Sequence, residues 1–272
     1  MRKGLKRGAA GLLAALCAGT SCALADGLNV RFFDAGKADA ILLRTENSAV
    51  LIDSGKSKMG KKLLDYFEAA GIEALDAMII THFDKDHVGG ADKLLESMPI
   101  ERVYMPDYEG EGKQYEQFLE ALADSGAQAT RLSENTMLEI GGVSYAIDVA
   151  NADNYGPGEE NDFSLVTSAR YGGVSFLFAG DAENPRLAEL IEEGNLAHDV
   201  LKVPHHGRAE DLSAAFFTAV SPKYAIITSD ADEREDAAVV AWLEADGAQV
   251  YLTRKGDVQC ATDGTTINFS QG

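Results

Sequence analysis

Thr81-His82-Phe83-Asp84-Lys85-Asp86-His87-Val88-Gly89-Gly90 decides how this chain is read. The stretch leaves an apolar run, 75–81, whose unbroken Ala-Met-Ile-Ile centre predicts a buried strand, and it leads into a predicted helix over 90–97. Four potential metal ligands fall within six residues: His82, Asp84 and Asp86 alternate, and His87 follows directly. A loop leaving a strand aims alternate side chains at one point and swings the next residue to a second. Such spacing suits two cations, which in two-metal sites sit about 3.5–4 Å apart. Helix capping explains less, because a cap needs one such residue and not four. Gly89-Gly90 would let the backbone turn tightly beneath the site.

The other histidines sharpen the pattern. Of five in the chain, two lie in this loop and two in Lys202-Val203-Pro204-His205-His206-Gly207, at the end of a predicted strand over 199–203. Another predicted strand, 174–179, runs into Ala179-Gly180-Asp181, whose carboxylate could bridge two cations. Three strand ends thus carry His or Asp, and neighbouring strand ends are where a fold collects distant residues. The fifth, His198, has no motif around it and reads as an ordinary hydrogen-bonded histidine.

Around these motifs, short alternating runs predict strands at 28–34, 40–44, 49–52, 102–105, 137–140, 143–149, 163–171, 224–228 and 249–253. Helical spacing appears at 61–70, 115–125, 185–193, 212–220 and 237–245, and Asp263-Gly264 marks the turn of a final hairpin. The expectation is an α/β protein of two mixed sheets with helices outside.

Length and composition set the frame. At 272 residues, with 46% hydrophobic and 25% charged residues, the chain is an ordinary globular protein, which rules out a disordered or fibrous one. Arg2, Lys3, Lys6 and Arg7 precede an apolar run, 12–24, closing on Ala23-Leu24-Ala25. These are the parts of a secretory signal peptide over 1–25, with a single domain over 26–272. An uncleaved anchor is the other reading, although the run is short and rich in Ala and Gly for a membrane span. Cleavage would leave Cys260 as the one cysteine and take the net charge from −20 to −24. That excludes a disulfide framework and a thiolate zinc cluster. The acidity also argues against general polyanion binding. Lys56, Lys58, Lys61 and Lys62 form a local exception beside a predicted helix start, where cations oppose the dipole. They are candidates for phosphate contact, or simply a solvated basic loop.

At this point the chain resembles a known family. The His82 loop is similar to the metal signature of the metallo-β-lactamase superfamily, with Asp84 in place of its second His. Within that superfamily the chain most resembles the hydrolase domain of ComEC-type competence proteins and their secreted stand-alone relatives. The features that carry the resemblance recur in order. They are Phe33-Asp34-Ala35-Gly36-Lys37-Ala38-Asp39-Ala40, Leu51-Ile52-Asp53-Ser54-Gly55, the His82 loop, Asn161-Asp162-Phe163-Ser164-Leu165-Val166, Phe178-Ala179-Gly180-Asp181 and Val203-Pro204-His205-His206-Gly207. The resemblance implies a single-domain αββα four-layer sandwich binding one or two divalent metal ions, zinc or manganese, at one edge.

Carried over residue by residue, it gives His82 and Asp84 to a first metal and Asp86, His87 and His205 to a second, with Asp181 bridging; His205 is preferred because it comes first off the strand, and His205 and His206 could be swapped. His206 becomes the candidate catalytic acid and Asp86 the group orienting the nucleophile. Asp84 makes the first position more oxygen-rich, which shifts preference from zinc towards manganese or magnesium. Asn161 or Ser164 occupies the region of the superfamily's absent third-motif His, and both are candidate substrate contacts, as are Lys56 and Lys58. The implied activity is secreted, metal-dependent hydrolysis of phosphodiesters, including DNA, by a metal-activated hydroxide, with no stable membrane partner after leader cleavage. A carbon-ester, lactone or β-lactam hydrolase and a non-catalytic metal-binding surface protein remain as alternatives.

Overall fold

Apolar residues alternate along the first strands, and the alternation sorts them onto two faces. The computed structural model describes residues 27–151 and 160–272, so the expected leader over 1–25 lies outside the described residues. In it β1 (Leu28–Phe32), β2 (Ala40–Arg44) and β3 (Ala49–Ser54) send Val30, Phe32, Ile41, Leu43, Val50 and Ile52 into one core. Ala40, Leu42, Ala49 and Leu51 enter a different one.

Parallel to β3 lie β4 (Leu75–Ile79), β5 (Ile100–Pro106) and β6 (Gln128–Leu132). With β14 (Val258–Thr262) and β15 (Ile267–Gln271) they make an eight-stranded sheet ordered β15-β14-β1-β2-β3-β4-β5-β6. Its outer face is covered by α1 (Ser57–Ala70), α2 (Ala91–Ser97) and α3 (Lys113–Ser125), which bury Leu63, Phe67, Leu94 and Phe118.

The second sheet has seven strands: β7 (Thr136–Ile140), β8 (Val143–Asp148), β9 (Val166–Tyr171), β10 (Val174–Phe178), β11 (Val200–Lys202), β12 (Tyr224–Ile227) and β13 (Gln249–Leu252). On its outer face α4 (Asn184–Glu193), α5 (Ser213–Val220) and α6 (Ala237–Ala245) bury Leu187, Phe216, Phe217 and Leu243. Between the sheets Phe32, Tyr145, Phe176 and Phe178 close a shared core. The layers are helices, sheet, sheet, helices, as expected.

Strands β3 to β6 are mutually parallel, and so are β10 to β13. Parallel pairing gathers their carboxyl ends along one rim, where open α/β sheets place ligands. Three elements differ from expectation. The strand β6 was not foreseen, because Gln128-Ala129-Thr130-Arg131 is mostly polar and lies at an exposed sheet edge. The helix α1 starts at Ser57 and not at 61, so Lys58, Lys61 and Lys62 are helical and Lys56 is its N-cap. A short 3-10 turn, Glu160–Phe163, takes the start of the strand expected at 163.

Candidate metal centre

Six segments deliver the site. The loop after β4 brings His82, Asp86 and His87, the loop after β10 brings Asp181, and the turn after β11 brings His206. Asp53 is the last residue but one of β3, Thr228 follows β12, and Asp39 immediately precedes β2; all eight side chains are buried. Local backbone chemistry makes the convergence possible. Gly180 has φ 53°, and a Cβ there would lie 2.7 Å from Ser164 Oγ, so only glycine lets Asp181 enter. Gly90 serves a different purpose from the expected flexible turn. Its φ is not positive, but a Cβ would meet Ser54 O at 2.5 Å and Gly60 N at 2.8 Å. Space for α1, not turning freedom, is what it provides.

Hydrogen bonds fix the three imidazoles in one tautomer. Thr81 Oγ1 donates to Asp53 Oδ2 at 2.7 Å, so its lone pairs are left to accept from His82 Nδ1 at 3.0 Å. His87 Nδ1 donates to the same Asp53 oxygen at 2.7 Å. Thr228 Oγ1 donates to Asp39 Oδ1 at 2.6 Å and therefore accepts from His206 Nδ1 at 3.0 Å. Each ring thus carries its proton on Nδ1 and presents the Nε2 lone pair inward, the arrangement in which outer partners orient metal-ligating histidines.

Those lone pairs have nothing to accept from. His82 Nε2, His87 Nε2, His206 Nε2 and Asp181 Oδ1 are all buried without a hydrogen bond. They are also close together. His87 Nε2 is 3.3 Å from Asp181 Oδ1, and His206 Nε2 is 3.1 Å from Asp181 Oδ2 and 3.8 Å from Asp86 Oδ2. Ligand atoms of His82, His87 and Asp181, and likewise of Asp86, His87 and His206, lie within 4.8 Å of one another. Buried acceptors facing acceptors are costly unless a cation lies between them. The residues present fit a divalent metal.

The electrostatics agree. Burial opposes charge on Asp181, yet His206 and His87 outweigh it and hold its carboxyl well below the usual range. Burial likewise opposes charge on His87, but Asp181 and Asp53 raise it well above the ordinary imidazole value. Burial, then the charge on His87, drops His82 well below it. Metal binding to such ligands displaces protons.

Sequence reasoning missed Lys202. Its buried ammonium sits 2.5 Å from Asp39 Oδ2 and 3.9 Å from Asp181 Oδ1, and it donates to Gly180 O at 3.3 Å. Despite burial, Lys202 and then His206 hold Asp39 below the usual carboxylate range. The available signal was a lysine inside a three-residue strand that is otherwise apolar. Thr81 and Thr228 were missed as well, since a lone threonine after a strand carries no motif.

Among the expected site residues, His82, Asp86, His87 and Asp181 come together. The two adjacent histidines exchange places: His206, not His205, turns into this cluster, because both residues take left-handed backbone, φ 53° and 47°. Such conformations cost about 1–3 kcal/mol each and mark functional turns. His205 faces Glu183 and Glu210 instead. Asp84 is exposed at the rim and belongs to none of these ligand clusters. Ser164 is fully buried and accepts from Asp181 N at 3.1 Å, so it braces the Asp181 loop and does not face a substrate. Asn161 donates to Glu183 Oε1 at 2.8 Å. Lys56 and Lys58 line, with Lys62 and Lys85, a cavity of about 560 Å³ beside the loop. His198 lies apart, bonded to Ser168 Oγ and Leu196 O at 2.6 and 2.9 Å.

Two face-to-face sheets, helices outside and a His/Asp cluster at the rim define an αββα metal-site protein. Residues 34–228 match the metallo-beta-lactamase superfamily, and the chain belongs to it. It is 29% identical over 224 residues to ComE operon protein 3 of Bacillus subtilis (strain 168), covering 75% of this chain and 29% of that protein. To competence protein ComA of Neisseria gonorrhoeae it is 28% identical over 204 residues, covering 74% and 27%. The chain therefore spans less than a third of the length of these relatives. Among solved structures, the metallo-beta-lactamase fold protein YhfI from Bacillus subtilis aligns with TM-score 0.58 at 12% identity, covering 90% of this chain and 100% of that one. That likeness concerns the fold.

Proposed function

We propose that this chain is an exported, metal-dependent phosphodiesterase holding one divalent cation, zinc or manganese, among His82, Asp86, His87, Asp181 and His206. The observation that carries the reading is the set of three Nε2 atoms, each held by an outer hydrogen bond and aimed at one another's neighbourhood. One cation is favoured over two because both ligand clusters share His87, whose single inward lone pair serves one ion. The competence-related names of the curated relatives support a phosphodiester over a carbon ester.

A bound divalent cation supplies Lewis acidity and a water of lowered pKa. The protein supplies the rest. Asp86, at the open side of the cluster, orients the attacking water and accepts its hydrogen bond. A cavity of about 320 Å³ over His205 and His206 is lined by Lys37, Arg208 and Arg234 among Asp232, Glu233 and Asp236. Its cationic side chains would hold the non-bridging phosphate oxygens, and their charge offsets what develops in the transition state. His206 acts as a ligand in this reading and not as the leaving-group acid.

Export rests on the sequence over 1–25; among the described residues no helix is long and apolar enough to cross a membrane. The test is hydrolysis of bis-p-nitrophenyl phosphate, a lactone and a chromogenic β-lactam, with zinc and manganese supplied separately. Diester turnover that Asp86→Ala abolishes is expected. Turnover of the lactone or β-lactam alone would overturn the substrate assignment.

A further inference from the structure

We propose that Glu183, His205 and Glu210 form a second divalent-cation site, separate from the histidine cluster. His205 Nδ1 lies 3.1 Å from Glu183 Oε1 and 3.7 Å from Glu210 Oε1, and its side chain is 7% exposed. Within this acidic pair the buried Nδ1 makes no hydrogen bond, so the ring is aimed at two carboxylates without being satisfied by either. An imidazolium placed there to neutralise them would be expected to donate.

The surroundings hold the carboxylates in place. Asn161 Nδ2 donates to Glu183 Oε1 at 2.8 Å, and Asn184 Nδ2 donates to Glu210 Oε2 at 2.8 Å. Asn184 is itself fixed, since its Oδ1 accepts from Leu212 N at 2.9 Å. His205 N donates to Gly180 O at 3.2 Å, which ties the turn after β11 to the loop after β10. Amide donors and carboxylate acceptors positioned in this way leave Glu210 Oε1 and His205 Nδ1 directed into the same gap. One imidazole nitrogen with two carboxylates suits zinc or manganese, with water completing the shell.

Because Glu183 and His205 lie two and one residues from Asp181 and His206, the ion would clamp both ligand-bearing loops to the segment leading into α5.

Zinc titration by isothermal calorimetry, with the metal content of dialysed protein measured in parallel, tests the proposal on the full chain without reference to activity. The wild type should show two separable zinc sites. Glu210→Gln, which preserves shape and removes the charge, should weaken one of them about 10–100-fold and leave the other, and Asn184→Ala should weaken the same site less. His206→Ala should do the reverse, so loss of one reading does not remove the other. A single class of zinc site that Glu210→Gln and Asn184→Ala leave unchanged would overturn the proposal, and so would extra zinc whose binding ignores both substitutions.

Discussion

Thr228→Val tests whether the outer hydrogen bonds, and not the ligands alone, set metal affinity. Valine has the shape of threonine without its hydroxyl, and Thr228 is completely buried, so packing should be conserved. The substitution removes the donor to Asp39 Oδ1 at 2.6 Å and the acceptor for His206 Nδ1 at 3.0 Å. His206 would retain only Asp39 Oδ1 at 3.5 Å, too long to fix the ring. Loss of such an outer partner costs about 10–100-fold in metal affinity, or roughly 1.4–2.8 kcal/mol. A buried N–H left unpaired costs about 1–3 kcal/mol in fold stability. Affinity is read by zinc calorimetry at the site that His206→Ala weakens, and stability by urea unfolding of chelator-treated protein, so that bound metal does not contribute. Thr228→Ser should restore both. Affinity within twofold of wild type for Thr228→Val would refute the argument that the Asp39–Thr228 pair directs Nε2.

Lys202→Met leaves Asp39 buried without its ammonium and should cost about 3–5 kcal/mol, measured by urea unfolding at neutral pH; a cost under about 1 kcal/mol would show that the pair is not as buried as it stands. Lys37→Ala should raise KM for a diester while leaving zinc affinity unchanged, because its side chain lines the cavity over His206 and belongs to no ligand cluster; loss of metal with it would move Lys37 into the centre. Cys260 is buried in β14, and burial pushes its thiol up to about 12, so native protein should not label with Ellman's reagent at that residue until urea is added. Peptide mapping that finds Cys260 fully labelled in native protein would contradict the packing of β14 between β1 and β15.

What was legible in the sequence followed from local rules. Continuous apolar runs gave the strands β4 and β10, Asp263-Gly264 gave the final hairpin, and four ligands within six residues gave the metal loop. The resemblance supplied the sandwich and its rim. Long-range contacts stayed hidden. Nothing in the spacing of Lys202 and Asp39 says that an ammonium and a carboxylate meet across the two sheets. Nor could His205 and His206 be told apart, because two consecutive left-handed residues reverse which ring a strand end points inward. The edge strand β6 was hidden for a simpler reason: a strand with one covered face at a sheet edge needs few apolar residues.

Charge balance supports the proposal of one ion in this centre. Asp39, Asp53, Asp86 and Asp181 bring four carboxylates to a buried volume in which Lys202 is the permanent cation. Three negative charges remain when the imidazoles are counted as neutral. Buried charge must be matched or neutralised. A divalent cation leaves a single negative charge, which the cationic side chains at the cavity mouth can meet when an anionic substrate is absent. Among the described residues no further buried carboxylate is offered to a second ion there: Asp84 stands exposed at the rim. The buried lysine therefore does for the charge balance what a second metal would do, and a further cation is better accommodated by the carboxylates around His205.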